Sequence, residues 1–98
     1  MGKYIFDFEN QSLNIDGSIK RMTLKESELL YYLLKNSNKV IKREEILTDI
    51  WGENDYFLGR SLDVFITKLR KYLKEDPSLV IENVFNVGFV FHNVDTTE

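Results

Sequence analysis

The chain has no cysteine, one proline (Pro77), one histidine (His92) and five scattered glycines. Without cysteine there are no disulfides, thiolate zinc sites, iron–sulfur clusters or cysteine nucleophiles, and the redox compartment stays open. A lone histidine cannot build a histidine-rich metal site and argues against a Ser-His-Asp hydrolase. Scattered glycines leave no phosphate-cradling loop, and no cofactor is expected. No apolar run approaches the ~20 residues that cross a bilayer, so no membrane partner is expected. The first residues, Met1 to Asp7, carry acid early and lack a signal-peptide pattern, and Phe6 breaks the myristoylation pattern. Asn10-Gln11-Ser12 is formally a glycosylation triplet, but nothing else suggests secretion.

Basic excess is also missing: the net charge is −3. The distribution is more informative than the total. Residues 60–74 hold Arg60, Lys68, Arg70, Lys71 and Lys74 against one acid, Asp63, a local balance of +4 in an otherwise acidic chain. With 98 residues, 43% of them hydrophobic, the chain is sized for one core and one domain spanning 1–98.

Residues 3–22 read as antiparallel strands. Tyr4, Phe6 and Phe8 alternate, as do Leu13 and Ile15, and Asp16-Gly17 suits a type I′ turn. Thr23 with Glu26 forms a capping-box pattern that opens a helix to Asn36, lined by Leu30, Leu33 and Leu34. A shorter helix is predicted over Arg43–Trp51, poorly capped by Lys42 and stopped by Gly52. Residues 53–59 read as a loop, unusually apolar at Tyr56, Phe57 and Leu58. Arg60–Lys74 is the strongest helix. Residues 79–85 and 88–94 read as a closing hairpin around Asn86-Val87, followed by a fraying tail.

On a wheel of ~100° per residue, Leu62, Phe65, Ile66, Leu69, Tyr72 and Leu73 share the core arc of the third helix. The outer arc holds Arg60, Ser61, Asp63, Val64, Thr67, Lys68, Arg70, Lys71 and Lys74. Lys68 can reach guanine O6 and N7, and Val64 has the size to meet a thymine methyl. Thr67 can bond a base or a phosphate. Arg60, Arg70, Lys71 and Lys74 can flank at phosphates. An ordinary amphipathic surface helix would present the same residues.

The order of these motifs resembles the winged-helix effector domain of OmpR/PhoB-type response regulators. The likeness runs from Met22-Thr23 with Glu26 and Leu29-Leu30, through KVIKREEILTDIWG (39–52) and RSLDVFITKLRKYL (60–73), to IENVFNVGFVF (81–91). Its most specific stretch is Arg43 to Leu73. The resemblance implies an α+β winged helix-turn-helix: an N-terminal antiparallel sheet, three helices and a C-terminal β-hairpin wing. It implies no enzyme, but a cytoplasmic, sequence-specific binder of double-stranded DNA in a two-component system. Trp51 and Arg60 then fall at phosphates, and Val64, Thr67, Lys68 and Arg70 at the groove. The 53–59 segment matches one that touches RNA polymerase in some members. A receiver domain and a sensor kinase would belong to the full-length protein. Such domains are monomers alone and pair on DNA.

The wing departs from the family pattern. Its two arginines are replaced by Phe85 and Val90, and its tyrosine by Phe89. A family wing arginine would enter the minor groove; Phe85 cannot do so as a cation. Two placements of Phe85 are open, at the tip or buried against the third helix. With no cation between Leu79 and Val94, wing contacts are expected only from backbone N–H groups, Asn83, Asn86 or His92. On the helices, Lys42, Ser27, Phe65 and Thr67 also depart from the pattern. The acidic balance and the aromatics at 56–58, 85, 89 and 91 support an alternative, a winged helix used mainly as a protein-interaction module.

Overall fold

A computed structural model of the chain describes residues 2–52 and 56–93. Strands β1 (Ile5–Asp7), β2 (Ser12–Ile15) and β3 (Ser18–Arg21) form an antiparallel sheet in that order. The β2–β3 turn is the expected one, since Asp16 and Gly17 both take positive φ (51° and 82°). Leu13 and Ile15 face the core from β2, while Ile5 and Ile19 stand exposed on the other face, joined across the sheet through Asn14.

Helix α1 (Leu24–Lys35) starts where its capping box predicts. The Thr23 hydroxyl accepts from the Glu26 N–H at 3.2 Å, and the Glu26 carboxylate accepts from the Thr23 N–H at 2.8 Å. Glu26 is buried, and its Oε1 also accepts from the Tyr72 hydroxyl at 3.1 Å. The buried carboxylate therefore closes the helix cap and joins α1 to the third helix. Leu29, Leu30 and Leu33 are fully buried, each contributing ~1.5–3 kcal/mol of apolar burial.

The second helix departs from its expected form. Only Arg43–Ile46 (α2) is α-helical; Leu47–Trp51 continues as a π-helical turn that ends at Gly52 with φ 87°. The weak cap at Lys42 is half compensated, because its N–H donates to Glu45 Oε1 at 3.2 Å.

Helix α3 (Tyr56–Tyr72) begins four residues before the expected start at Arg60. The expected loop over 53–59 is therefore helical in its second half, and 53–55 lie outside the described residues. Leu62, Ile66, Leu69 and Leu73 are buried as the wheel requires.

Sequence reading missed one strand. β4 (Val40–Lys42) pairs with β6 (Gly88–Asn93), which pairs in turn with β5 (Leu79–Val84), all antiparallel. The wing is thus a hairpin fastened to a third strand. Gly88 sits where β4 crosses, and an added Cβ would collide with the Ile41 carbonyl. Only glycine allows this approach. Phe89 and Phe91 are buried in the core, and the chain after Asn93, including Val94 and the expected tail, lies outside the described residues.

Candidate nucleic-acid interface

Helix α3 presents the surface that the sequence singled out. Val64 is 55% exposed, an apolar side chain held in solvent between cations. Arg60, Thr67, Lys68, Lys71 and Lys74 are exposed around it, and Ser61 is half-buried. Arg60, Val64, Thr67, Lys68 and Lys71 recur at helical spacing along one side, so the helix brings them together as expected.

The acid on this face is neutralised from outside the helix. The Arg43 guanidinium lies 2.9 Å from the Asp63 carboxylate, and its other terminal nitrogen donates to the Gly59 carbonyl at 2.6 Å. Thr67 donates its hydroxyl to the Asp63 carbonyl at 3.0 Å, which spends its proton within the helix and leaves its oxygen able to accept. Lys68 Nζ sits 3.8 Å from Glu26 Oε2 and 5.9 Å from the Phe65 ring centroid. A buried carboxylate thus draws the central cation toward the α1 side of the face.

Two expected contacts are placed differently from the rest. Arg70 is exposed but turned to the wing: its Nε and one terminal nitrogen donate to the Ile81 carbonyl at 3.1 and 2.7 Å. Both bonds converge on one backbone oxygen of β5, which fastens α3 to the wing. Trp51 is half-buried at the flank, its ring 5.5 Å from Phe65 and beneath Lys25 Nζ at 5.7 Å.

Of the two placements open for Phe85, the structure takes the tip, where it is 84% exposed. The hairpin has no cation of its own, but two reach it from elsewhere in the chain. Strand β4 aligns Lys42 with Gly88, opposite Val84, and the Arg43 N–H donates to the Val87 carbonyl at 3.0 Å. Lys42 and Arg43, distant in sequence from the hairpin, flank its tip. The missed signal was the short β-branched run Val40-Ile41 ahead of them.

His92 is a surface histidine, with Nε2 2.7 Å from Glu82 Oε1 across the wing strands. Tyr32 and Asp76, away from the interface, are among the groups with shifted acidities. Burial, then the hydrogen bond to Asp49, pushes the Tyr32 hydroxyl up to about 12. The Ser78 hydroxyl and then the Lys3 N–H hold the Asp76 carboxyl below its ordinary 3.8. Among the described residues no cluster of His, Asp and Glu could hold a metal, and no helix is long and apolar enough to cross a membrane.

Residues 17–91 match the family described as "Transcriptional regulatory protein, C terminal". The chain is 44% identical over 89 residues to the transcriptional regulatory protein RprY of Bacteroides fragilis, covering 91% of this chain and 38% of that protein. The chain thus spans well under half of this relative's length. The DNA-binding domain of Klebsiella pneumoniae RstA, solved in complex with the RstA box, superposes with a TM-score of 0.76 at 26% identity, covering 93% of this chain and 92% of that one. Response regulator DrrB, a Thermotoga maritima OmpR/PhoB homologue, superposes with a TM-score of 0.76 at 27% identity, covering 95% of this chain and 43% of that one.

Proposed function

This chain belongs to the family of C-terminal domains of transcriptional regulatory proteins, and from that premise we propose that it is the sequence-specific, double-stranded-DNA-binding domain of a cytoplasmic two-component regulator. One observation carries the reading: the solvent face of α3 combines an exposed Val64 with Thr67, Lys68 and Lys71, while Arg43 cancels its one acid. A helix of that surface matches the major groove in width and chemistry. Lys68 and Val64 read base edges, with Thr67 beside them. Arg60, Lys71, Lys74 and the flanking Trp51 and Ser61 hold the phosphate strands. Arg70 acts mainly through the wing it fastens.

The longer regulator would add a receiver domain and answer to a sensor kinase. Segment 53–59 would meet RNA polymerase. The domain alone would be a monomer and would pair on DNA. It would bind DNA rather than run chemistry: its single histidine, His92, is paired with Glu82 on the exposed wing strands. The protein-interaction alternative loses Phe89 and Phe91, which are core residues.

Selection from a random duplex pool, followed by binding titrations at two salt concentrations, tests the reading. It expects an enriched motif and an affinity that falls steeply with salt, since each neutralised phosphate releases counterions. Failure to enrich any motif overturns it. Sedimentation without DNA should give a monomer; a stable dimer would contradict pairing on DNA.

A further inference from the structure

We propose that Phe85 is an apolar wedge that enters the minor groove beside the recognition helix and unstacks a base step, so that this domain bends its site. The inference rests on the DNA-binding reading above and goes beyond it.

The tip is built for insertion. Phe85, Asn86 and Val87 form the turn between β5 and β6, closed by the Val87 N–H donating to the Val84 carbonyl at 3.0 Å. Asn86 takes φ 61°, which sharpens the turn and leaves Phe85 84% exposed, the most exposed large apolar side chain among the described residues. Among the described residues the ring has no aromatic or cation–π partner. Charge around it is mixed: Arg43 and Glu44 line the groove beside the tip, and Lys42 pairs with Gly88 in the neighbouring strand. Apolar area, rather than charge, distinguishes the tip.

The fold also fixes which flank of α3 the wing lies along. Arg70 bonds the Ile81 carbonyl near the end of α3. Arg43 bonds the Val87 carbonyl with its N–H and reaches Asp63 and Gly59 near the start of α3. The wing is therefore tied along α3 at two points. A helix with side chains is ~10–12 Å across and fills a major groove of about 12 Å. An element tied alongside it must lie over the flanking phosphate strand and the adjacent minor groove. Phenylalanine is among the side chains that wedge between base steps there and kink the duplex.

The experiment uses duplexes selected by the wild-type domain from a random pool. Each carries 2-aminopurine at successive minor-groove positions flanking the motif, or a fluorophore pair at its ends. Wild-type domain should raise 2-aminopurine fluorescence at one step and shorten the end-to-end distance. Phe85→Ala should abolish both and weaken binding by about ten-fold to a hundred-fold, taking the range for base–aromatic stacking. The salt slope should not change, because an apolar wedge releases no counterions. Phe85→Leu should keep part of the bend, and Phe85→Arg should lose it while steepening the slope by about one. Thermal melts of the variants should match wild type, as the ring is outside the core. If wild type binds and Phe85→Ala equals it in affinity and bend, the wedge is overturned and the DNA reading stands. If wild type retains no duplex, both fall. An affinity loss without any change in bend or stacking overturns the wedge in favour of simple surface contact.

Discussion

The Arg43 guanidinium meets the Asp63 carboxylate at 2.9 Å, joining the first turn of α2 to the exposed face of α3. Half-exposed pairs of this kind contribute only ~0–1 kcal/mol to folding. The consequence lies at the interface, where an unpaired Asp63 would face phosphates. Arg43→Ala should weaken DNA binding, and adding Asp63→Ala should restore part of the loss. A double-mutant cycle read by titration checks this; additive losses would show that the pair does not act through charge cancellation.

Lys68 and Lys74 should behave differently. Lys68 is central on the face and Lys74 lies just past the end of α3. Lys68→Ala should cost ~1–3 kcal/mol on the preferred site and relax base preference. Lys74→Ala should weaken all sequences evenly and flatten the salt slope. A quantitative binding array distinguishes the two, and an unchanged preferred motif for Lys68→Ala would remove it from base readout.

Ser27 is fully buried in α1, and its hydroxyl oxygen has no hydrogen-bond partner among the described residues. A buried unsatisfied hydroxyl costs about 1–3 kcal/mol, and alanine is the better helix former. Ser27→Ala should raise stability by ~1 kcal/mol in urea unfolding with DNA affinity intact. A loss of stability would reveal a partner for the hydroxyl.

Asp76 couples folding to pH. It is buried, and it accepts from the Ser78 hydroxyl at 2.7 Å and the Lys3 N–H at 2.7 Å. Its folded acidity is below the ordinary 3.8, so the carboxylate binds fewer protons in the folded state. Its contribution is complete above that value and is lost as pH falls through the folded one. Asp76→Asn should lower the melting temperature at pH 7, and the gap from wild type should narrow below about pH 3.8. A gap that stays constant with pH would contradict this.

Much of the fold was legible because local rules dictate it. Period-two alternation places Leu13 and Ile15 inward, Asp16-Gly17 makes its turn, and Thr23 with Glu26 starts α1. The spacing of Leu62, Ile66, Leu69 and Leu73 sets which side of α3 is core and, by subtraction, which side carries Val64, Thr67, Lys68 and Lys71. All of these depend on residues within about one or two turns of each other.

What the tertiary structure decided depends on partners far along the chain. Val40–Lys42 is too short to show a strand period, and it is a strand only because β6 supplies its hydrogen bonds. That pairing brings Lys42 and Arg43 to a wing that has no cations of its own. Arg70 and Lys68 are both cations on one helix, yet a β5 carbonyl claims the first and a buried α1 carboxylate draws the second. The exposure of Phe85, with Phe89 and Phe91 buried only a few residues later, follows from where the turn falls relative to the core. Composition and spacing mark a residue as cationic or apolar; only long-range packing determines whether that chemistry is spent inside the fold or left facing outward.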